Sequence, residues 1–312
     1  MLPGVNSTRE SPHDAPESGG ASDASCVVCG GHGFETACSA PDRLGLVRDL
    51  FEVRQCARCG LAVTWPPADE AELARFYPDD YWGESSEPDP DWIARTQREK
   101  TRVVDAHRNE GGRLLDVGCG AGFFLRALRP DRWDRFGVEI SPRSAAAAER
   151  GIGAGRVFAG RLADAPQEAG GYDVVTFWAS LEHVTDPARN LEIARNLLKQ
   201  NGLLVVQVPN FASWQAVRFG GDWFALDVPR HRFHFTPDSL ERLVRRTGFE
   251  PIELRRRSET HDPHALKQSL KTRLVHQRAT LGRARYYLAA PFVKVADWIA
   301  GGATLTMVAR RA

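Results

Sequence analysis

From Gly111 onward, short apolar runs alternate with segments whose apolar residues recur at helical spacing. Apolar runs bounded by glycine or proline predict buried strands, and recurrence about every 3.6 residues predicts amphipathic helices. The predicted strands are Arg113–Val117, Arg135–Glu139, Val157–Ala159, Tyr172–Trp178, Gly202–Pro209, Glu250–Arg255 and Ala303–Ala309. The helices predicted between them lie near Gly122–Leu128, Pro142–Arg150, Pro187–Leu198 and Pro237–Thr247. This alternation predicts an α/β fold, a mostly parallel sheet with helices on both faces and an antiparallel edge strand at the end.

Composition divides the chain into four predicted segments. Residues 1–22 are rich in Ser, Pro, Gly, Asp and Glu and have no apolar core, which predicts a disordered tail and argues against a secretory signal. A cysteine-rich unit is predicted at 23–66 and a helical linker or lid at 67–110. The α/β domain then covers 111–312, with a basic helical insertion at about 256–300 before the last strand. The linker is predicted to contain helices at Asp69–Phe76 and Trp92–His107, separated by the aromatic, acidic loop Tyr77–Trp82.

Four of the six cysteines form two C-x-x-C-G turns. The two-residue spacing lets both thiolates of a turn point at one metal, and two turns supply the four soft ligands of a closed zinc site. A disulfide pair is the alternative, which a reducing compartment disfavours. Because four thiolates leave no coordination position for water, the Zn²⁺ is predicted to be structural, in a zinc ribbon with strands at Leu44–Val53 and Leu61–Thr64. The predicted ligands are Cys26, Cys29, Cys56 and Cys59.

Charge and hydropathy restrict the function less than these motifs do. The net charge of +1 provides no overall attraction to nucleic acid or membrane, so no DNA partner is expected. Locally, residues 241–285 carry twelve Lys/Arg against five Asp/Glu, which fits a solvated helical face, an anionic acceptor or peripheral membrane contact. The apolar segment 286–308 is interrupted by Pro291, Lys294 and Asp297, which predicts a helix and a strand instead of a membrane span. A cytoplasmic protein is expected.

The first strand of the α/β domain runs into a glycine-rich turn. Gly118, Gly120 and Gly122 stand at alternate positions, so no Cβ is present where the backbone must bend sharply and lie against a ligand. The order is G-x-G-x-G, and dinucleotide enzymes use G-x-G-x-x-G. Cys119, inside the turn, is expected to be a small packing residue and not a nucleophile. This turn predicts a bound nucleotide-like ligand.

Glu139 ends the second predicted strand, 23 positions after Asp116. In doubly wound folds an acid at this strand end accepts hydrogen bonds from ribose hydroxyls. Ser141 and Pro142 follow at once as helix cap and first helical residue, which fixes the strand end in place. The alternative for Glu139 is a free surface carboxylate.

Four parts of the chain resemble, in order, the successive motifs of class I S-adenosylmethionine (SAM)-dependent methyltransferases. They are the glycine turn, Glu139, the run Tyr172–Pro187 and the run Lys199–Val206. The resemblance covers roughly 111–253 and implies a Rossmann-like, seven-stranded sheet with SAM as cofactor. It implies a cofactor site formed by Asp116, Gly118, Cys119, Gly120, Gly122, Glu139, Asp164 and Trp178. Asp164 is the candidate for the adenine amino group, with a solvated loop acid as the alternative.

The acceptor chemistry depends on two loops. Phe177–Ser180 stands where methyltransferases of planar nitrogens usually carry an Asn/Asp-Pro-Pro-aromatic motif, which disfavours adenine or glutamine N-methylation. Oxygen and carbon acceptors need a general base. The candidate catalytic residues are Glu182, His183, His231 and His234. For each single histidine the alternative is a structural role in bracing its loop.

A four-cysteine ribbon before a SAM domain resembles bacterial methyltransferases of sugars and other small or cell-envelope metabolites. The prediction is an O- or C-methyltransferase with a small-molecule, sugar or glycan acceptor. One alternative is an RNA methyltransferase whose ribbon binds nucleic acid, which the balanced charges of the ribbon disfavour. Another is a catalytically inactive SAM-fold binding protein, which the intact glycine turn and Glu139 disfavour. The oligomeric state has no signal in the sequence.

Overall fold

The computed structural model of the chain describes residues 25–78, 88–166, 170–276 and 301–312. The predicted tail at 1–22, residues 79–82 of the aromatic loop and residues 277–300 of the basic insertion lie outside these ranges. The described residues form two β-sheets, one of seven strands and one of four.

The larger sheet is the predicted α/β sheet. Its strands are β4 (Gly112–Val117), β5 (Trp133–Glu139), β6 (Val157–Ala159), β7 (Tyr172–Trp178), β8 (Leu198–Pro209), β10 (Phe249–Arg255) and β11 (Thr304–Arg311). They lie in the order β10-β11-β8-β7-β4-β5-β6, and the pairs from β8 to β6 are parallel. All seven residues of β7 are buried, as expected of a central strand covered on both faces.

The last strand differs from the prediction in one respect. β11 is antiparallel to its neighbours, as predicted, but it lies between β8 and β10 and is not an edge strand. Its residues Thr304–Ala309 are buried, as is usual for a strand inside a sheet that is covered on both faces.

Helices pack on both faces of this sheet, as predicted. They are α2 (Pro90–His107), α3 (Phe123–Ala127), α4 (Pro142–Ile152), α5 (Pro187–Leu197) and α7 (Pro237–Arg246). Val174 of β7 belongs to an apolar cluster with residues of α2, α3 and α4, and the next residue, Val175, belongs to a cluster with residues of α5 and α7. The split follows from the alternation of side chains along a strand.

α4, α5 and α7 start at the predicted residues. Each start follows a local signal in the sequence. The side chains of Ser141, Asp186 and Thr236 accept a hydrogen bond from the backbone N–H three residues later, and each is followed by proline. A cap and an N1 proline satisfy or remove the N–H groups that a helix leaves unpaired at its start. The remaining helices are α1 (Glu70–Ala74), α6 (Trp214–Phe219) and α8 (His261–His276).

Three strands of the smaller sheet belong to the cysteine-rich unit, residues 25–66, which is here called the ribbon. The strands of this sheet are β1 (Phe34–Pro41), β2 (Leu50–Cys56), β3 (Ala62–Trp65) and β9 (Phe233–His234), paired in that order. β3 lies within the predicted second strand and one residue beyond it. The strand predicted at Leu44–Val53 was wrong over its first half, because Asp42 accepts hydrogen bonds from the backbone of Leu44 and Leu46 and turns the chain there.

β9 comes from the α/β domain and extends the ribbon sheet. Ala62 and Val63 of β3 pair with His234 and Phe233, and the backbone N–H of Thr64 donates to the carbonyl of Arg232, 3.0 Å away. The ribbon therefore shares a sheet with the loop that carries two of the predicted catalytic histidines. Among the described residues, no helix is long and apolar enough to cross a membrane.

Candidate active site and metal centre

The glycine turn follows β4 at the carboxyl edge of the sheet. Gly118, Gly120 and Gly122 all have positive φ, at 75°, 54° and 75°. A Cβ on Gly118 would lie 2.5 Å from Cβ of Ser180, whereas one on Gly120 would have no atom within 4 Å. Gly118 therefore permits close packing against the loop after β7, and Gly120 faces open space, where a ligand can reach the backbone.

Glu139 holds the turn and the start of α4 together. One carboxylate oxygen accepts a hydrogen bond from the N–H of Gly120 at 2.8 Å, and the other accepts from Ser141 at 2.9 Å. The carboxylate is buried at the end of β5, beside the turn. The next residue, Ile140, was missed by the sequence analysis, although its side chain is 63% exposed beside Glu139. A large apolar residue between a strand end and a helix cap is the signal that could have identified it.

Asp116 is buried where β4 enters the turn and accepts a hydrogen bond from the hydroxyl of Thr176, 2.7 Å away. Burial raises its pKa to about 7. Lys100 of α2, also missed by the sequence analysis, places its ammonium group 5.5 Å from the ring centre of Trp178. Burial lowers the pKa of Lys100, and the charge of Asp116 opposes that shift.

Trp178 ends β7, and its ring packs edge-on against Phe124 with centroids 5.3 Å apart. Among the described residues, its indole N–H has no hydrogen-bond partner although the atom is buried. Cys119 is buried with its sulfur against Gly137 of β5, and burial raises the pKa of its thiol. Asp164 is exposed in the turn after β6 and pairs with Arg161 at 2.7 Å.

The loop after β7 brings Glu182 into the interior. Ser180 ties the loop to the turn by donating its hydroxyl to the carbonyl of Val117 at 2.6 Å. Glu182 is 0% exposed, and neither carboxylate oxygen has a hydrogen-bond partner among the described residues. Burial, reinforced by the charge of Asp227, raises its pKa to about 8. Its backbone carbonyl accepts from Arg232 at 2.9 Å, which joins this loop to the one before α7.

His183 and His231 meet beside Glu182. Their rings are perpendicular with centroids 4.6 Å apart, and Nδ1 of His183 lies 2.8 Å from the hydroxyl of Tyr77. Nδ1 of His231 lies 2.9 Å from the carbonyl of Ala225, which fixes the proton on Nδ1 and leaves the lone pair on Nε2. Burial lowers the pKa of His183 to about 3 and that of His231 to about 4, so both are neutral at neutral pH.

His234 is not part of this group. It is buried in β9, where Nε2 lies 2.9 Å from the hydroxyl of Thr64 in the ribbon. Its ring also lies against Phe211, with centroids 5.5 Å apart. The structure thus brings together three of the four predicted catalytic residues and places the fourth between the ribbon and its loop.

A buried ion cluster beneath the histidines was missed by the sequence analysis. Arg230 is 0% exposed and pairs with Asp42 at 2.7 Å and with Asp227 at 2.9 Å. Arg43 also pairs with Asp227 at 2.9 Å. Burial would raise the pKa of Asp227, but His231 and the two arginines outweigh it and hold that pKa below its usual value. The cluster links the ribbon to the histidine loop through charges from both.

The four predicted zinc ligands converge at the other end of the ribbon. Their sulfur atoms lie within 4.8 Å of one another, with Cys26 and Cys59 3.5 Å apart and Cys29 and Cys56 3.6 Å apart. These separations are far longer than a disulfide bond of about 2.0 Å. They are close to the ~3.8 Å between sulfurs around a tetrahedral Zn²⁺ with bonds of about 2.3 Å. The donor set therefore fits a closed four-thiolate zinc site.

Comparisons with known proteins agree with this geometry. The profile of the methyltransferase domain family (Methyltransf_23) matches residues 91–254, more than half of the chain. The chain belongs to this family and is a class I SAM-dependent methyltransferase.

Two curated relatives carry the same name, ubiquinone biosynthesis O-methyltransferase. The one from Cereibacter sphaeroides is 30% identical over 53% of this chain and 70% of its own length. The one from Aromatoleum aromaticum is 27% identical over 60% of this chain and 85% of its own length. A solved SAM-dependent methyltransferase from Thermotoga maritima aligns over 71% of this chain and 92% of its own, with 18% identity and a TM-score of 0.48. The strand order described above carries the fold assignment.

Proposed function

We propose that this protein transfers the methyl group of SAM to a hydroxyl oxygen of a small-molecule or sugar acceptor. The main observation behind this proposal is the pair of neutral imidazoles of His183 and His231, whose ring centroids are 4.6 Å apart. They lie in the loop after β7 and the loop before α7. A hydroxyl loses a proton as it is methylated, and a neutral imidazole has a nitrogen lone pair that can accept that proton. The name of the relatives, O-methyltransferase, also favours oxygen as the acceptor atom.

The cofactor is proposed to lie across the carboxyl ends of β4, β5 and β7. When bound, SAM supplies an electrophilic methyl group. The turn around Gly120 presents its backbone to the ligand, and the buried carboxylate of Glu139 is placed to accept hydrogen bonds from ribose hydroxyls. The indole N–H of Trp178, which has no hydrogen-bond partner in the described ranges, is a further donor. The exposed side chain of Ile140 provides an apolar surface for the adenine ring.

The acceptor is proposed to lie against the two histidines and Tyr77. The hydrogen bond between Tyr77 and Nδ1 of His183 holds that imidazole in one orientation. The bond from Nδ1 of His231 to the carbonyl of Ala225 leaves its Nε2 lone pair to face an acceptor hydroxyl. Holding the reacting oxygen in line with the methyl group converts a bimolecular step into an effectively unimolecular one.

We also propose that Cys26, Cys29, Cys56 and Cys59 hold a structural Zn²⁺. The fit of their sulfur spacing to a tetrahedral site supports this assignment. The metal would fix the ribbon, whose β3 pairs with β9 beside the histidines. Its role would be to shape the acceptor side, because four thiolates leave no open coordination position.

Methyl transfer from ¹³C-methyl-labelled SAM to a panel of phenols, catechols and nucleotide sugars tests the function. The ¹³C chemical shift of the product reports whether the methyl group is on oxygen or on carbon. Wild type is compared with His183→Ala and His231→Ala, with binding of SAM to each variant measured by calorimetry. The proposal expects an O-methyl product and a loss of at least about 100-fold in turnover for one or both variants, with SAM binding retained. Full activity of both variants on the true acceptor, or a product methylated on carbon, would contradict it.

A further inference from the structure

Glu182, His183 and His231 form a second cluster of metal-ligating side chains, remote in sequence from the four cysteines. One ligand atom of each lies within 4.8 Å of the others. Glu182 and His231 are buried, and His183 is partly buried. Two imidazole nitrogens and one carboxylate form a donor set that divalent transition metals bind while keeping open positions for substrate.

The carboxylate of Glu182 is the observation that points to a ligand. Both oxygens are buried with no hydrogen-bond partner among the described residues. A buried carboxylate without partners is costly, so native proteins pair such groups with a cation, neutralise them or use them to bind a metal.

The neighbouring arginines are already occupied by other carboxylates. Arg230 pairs with both Asp42 and Asp227, and Arg43 pairs with Asp227. In this cluster two positive and two negative side chains balance, so no arginine charge is left for Glu182. Lys100 acts on that carboxylate at a distance, with no hydrogen bond to it among the described residues. A bound cation would stabilise the ionised carboxylate and would use oxygens that have no hydrogen-bond partner in the described part of the chain.

We propose that Glu182, His183 and His231 bind a divalent cation, and that this cation coordinates the acceptor hydroxyl. The inference builds on the proposed function, since the same residues line the acceptor side. Nε2 of His231 is suited to ligation, because its Nδ1 is held by the carbonyl of Ala225, the arrangement that orients metal-binding histidines. Ligand atoms within 4.8 Å of one another would need to close to about 3.4 Å to share a tetrahedral metal with bonds of about 2.0–2.2 Å.

The cation changes how the acceptor loses its proton. Coordination weakens the O–H bond of the acceptor, and the proton leaves to water while the oxygen stays bound to the metal. The oxygen then forms a bond to the methyl carbon of SAM, the bond from that carbon to sulfur breaks, and its electron pair remains on sulfur. The products are the methyl ether and S-adenosylhomocysteine. In this arrangement the two histidines hold the metal and the proton does not stay on them.

The test is a titration of the zinc-containing full-length protein with Mn²⁺, followed by the electron paramagnetic resonance signal of free Mn²⁺. Mn²⁺ prefers oxygen and imidazole ligands to thiolates, so the four cysteines do not compete for it. We expect one Mn²⁺ bound per chain in the wild type and at least a tenfold weaker affinity in Glu182→Gln and in His231→Gln.

His234→Gln is the matched control, because it changes a buried histidine of the same loop that lies outside the cluster. It should bind Mn²⁺ like the wild type, and the zinc content and circular dichroism of each variant report whether it has folded. Wild type that binds no Mn²⁺, or Glu182→Gln that folds and binds it with unchanged affinity, would overturn the metal site.

Activity separates this inference from the proposed function. If protein that does not bind Mn²⁺ still transfers the methyl group to a hydroxyl, the metal inference is wrong and the proposed function stands. If Mn²⁺ binds as expected but no hydroxyl acceptor is methylated in its presence, the metal site stands and the proposed function is wrong. With both correct, addition of the cation raises turnover at least about tenfold in wild type and has no effect in Glu182→Gln.

Discussion

The hydroxyl of Thr64, in the ribbon, donates a hydrogen bond of 2.6 Å to the backbone carbonyl of His231, in the loop before α7. The two residues are 167 positions apart, and both groups are buried. This bond continues the pairing of β3 with β9, so the ribbon fixes the backbone on which His231 is carried. A change at the cysteines should therefore reach the acceptor side before it reaches the glycine turn, which lies on β4.

Replacement of one of the four proposed zinc ligands tests this connection. We expect Cys59→Ser to release the metal and to lower Tm by more than about 10 °C, which corresponds to a few kcal/mol for a chain of this size. Because the ribbon contacts the histidine loop, KM for the acceptor should rise more than Kd for SAM. Metal content, a thermal melt, calorimetry with SAM and acceptor kinetics measure these effects.

Cys38→Ser is the matched control, since Cys38 lies in β1 of the same sheet and outside the four-cysteine group. It should keep its zinc and its acceptor KM. Equal loss of SAM and acceptor binding in Cys59→Ser would show that the ribbon supports the whole fold and has no special relation to the acceptor side.

Glu139 should control SAM affinity. Replacement by Ala removes the carboxylate that accepts from Gly120 and Ser141, and hydrogen bonds to charged groups contribute about 1.5–3 kcal/mol each. Calorimetry should show Kd for SAM raised at least about tenfold. Glu149→Ala on α4 is the control, because the Glu149 carboxylate accepts a hydrogen bond from Gly155 in the loop beyond the helix. Unchanged SAM affinity in Glu139→Ala would exclude Glu139 from the cofactor site.

The parts of the fold that the sequence predicts are those with local signals. The starts of α4, α5 and α7 each have a capping side chain followed by proline, and β7 is apolar except for Asp173 and Thr176, with both of its faces buried. These features depend on neighbours within a few residues. They need no knowledge of how distant segments meet.

The parts that the sequence does not predict are pairings across the chain. β9 has only two residues, and it exists because β3 lies beside it. Asp42 and Arg230 are ordinary charged residues in the sequence, and only the fold brings them to 2.7 Å in the interior. Tyr77 and His183 are 106 positions apart, and their hydrogen bond forms only because the linker packs on the loop after β7.

The buried ion cluster should be essential to stability. Arg230→Gln leaves Asp42 and Asp227 without their shared partner in the interior, and breaking a buried pair in this way costs about 3–5 kcal/mol. Urea unfolding measures the loss. Because the unpaired carboxylates cause it, the double variant Arg230→Gln, Asp42→Asn should recover part of the stability.

An exposed ion pair provides the comparison. Arg242 pairs with Asp238 across one turn of α7, with both side chains more than half exposed. Arg242→Gln should leave the unfolding curve unchanged, since solvent screens such pairs. If Arg230→Gln behaved like Arg242→Gln, the cluster would not be a stabilising link between ribbon and loop.

Asp116 should make the stability of the protein without SAM depend on pH. Its pKa is raised from 3.8 to about 7 by burial, so the folded state binds the proton more tightly than the unfolded state. The contribution of Asp116 to stability is therefore fully present below about pH 4 and is lost as pH rises through 7. Each pKa unit corresponds to about 1.4 kcal/mol, so wild type should lose ~1–3 kcal/mol relative to Asp116→Asn between pH 5 and pH 8. Urea unfolding of both proteins at the two pH values measures the difference, in which the titration of groups that do not interact with Asp116 cancels. A difference that stayed constant, or that grew in favour of wild type at pH 8, would mean that Asp116 is ionised in the folded protein throughout this range.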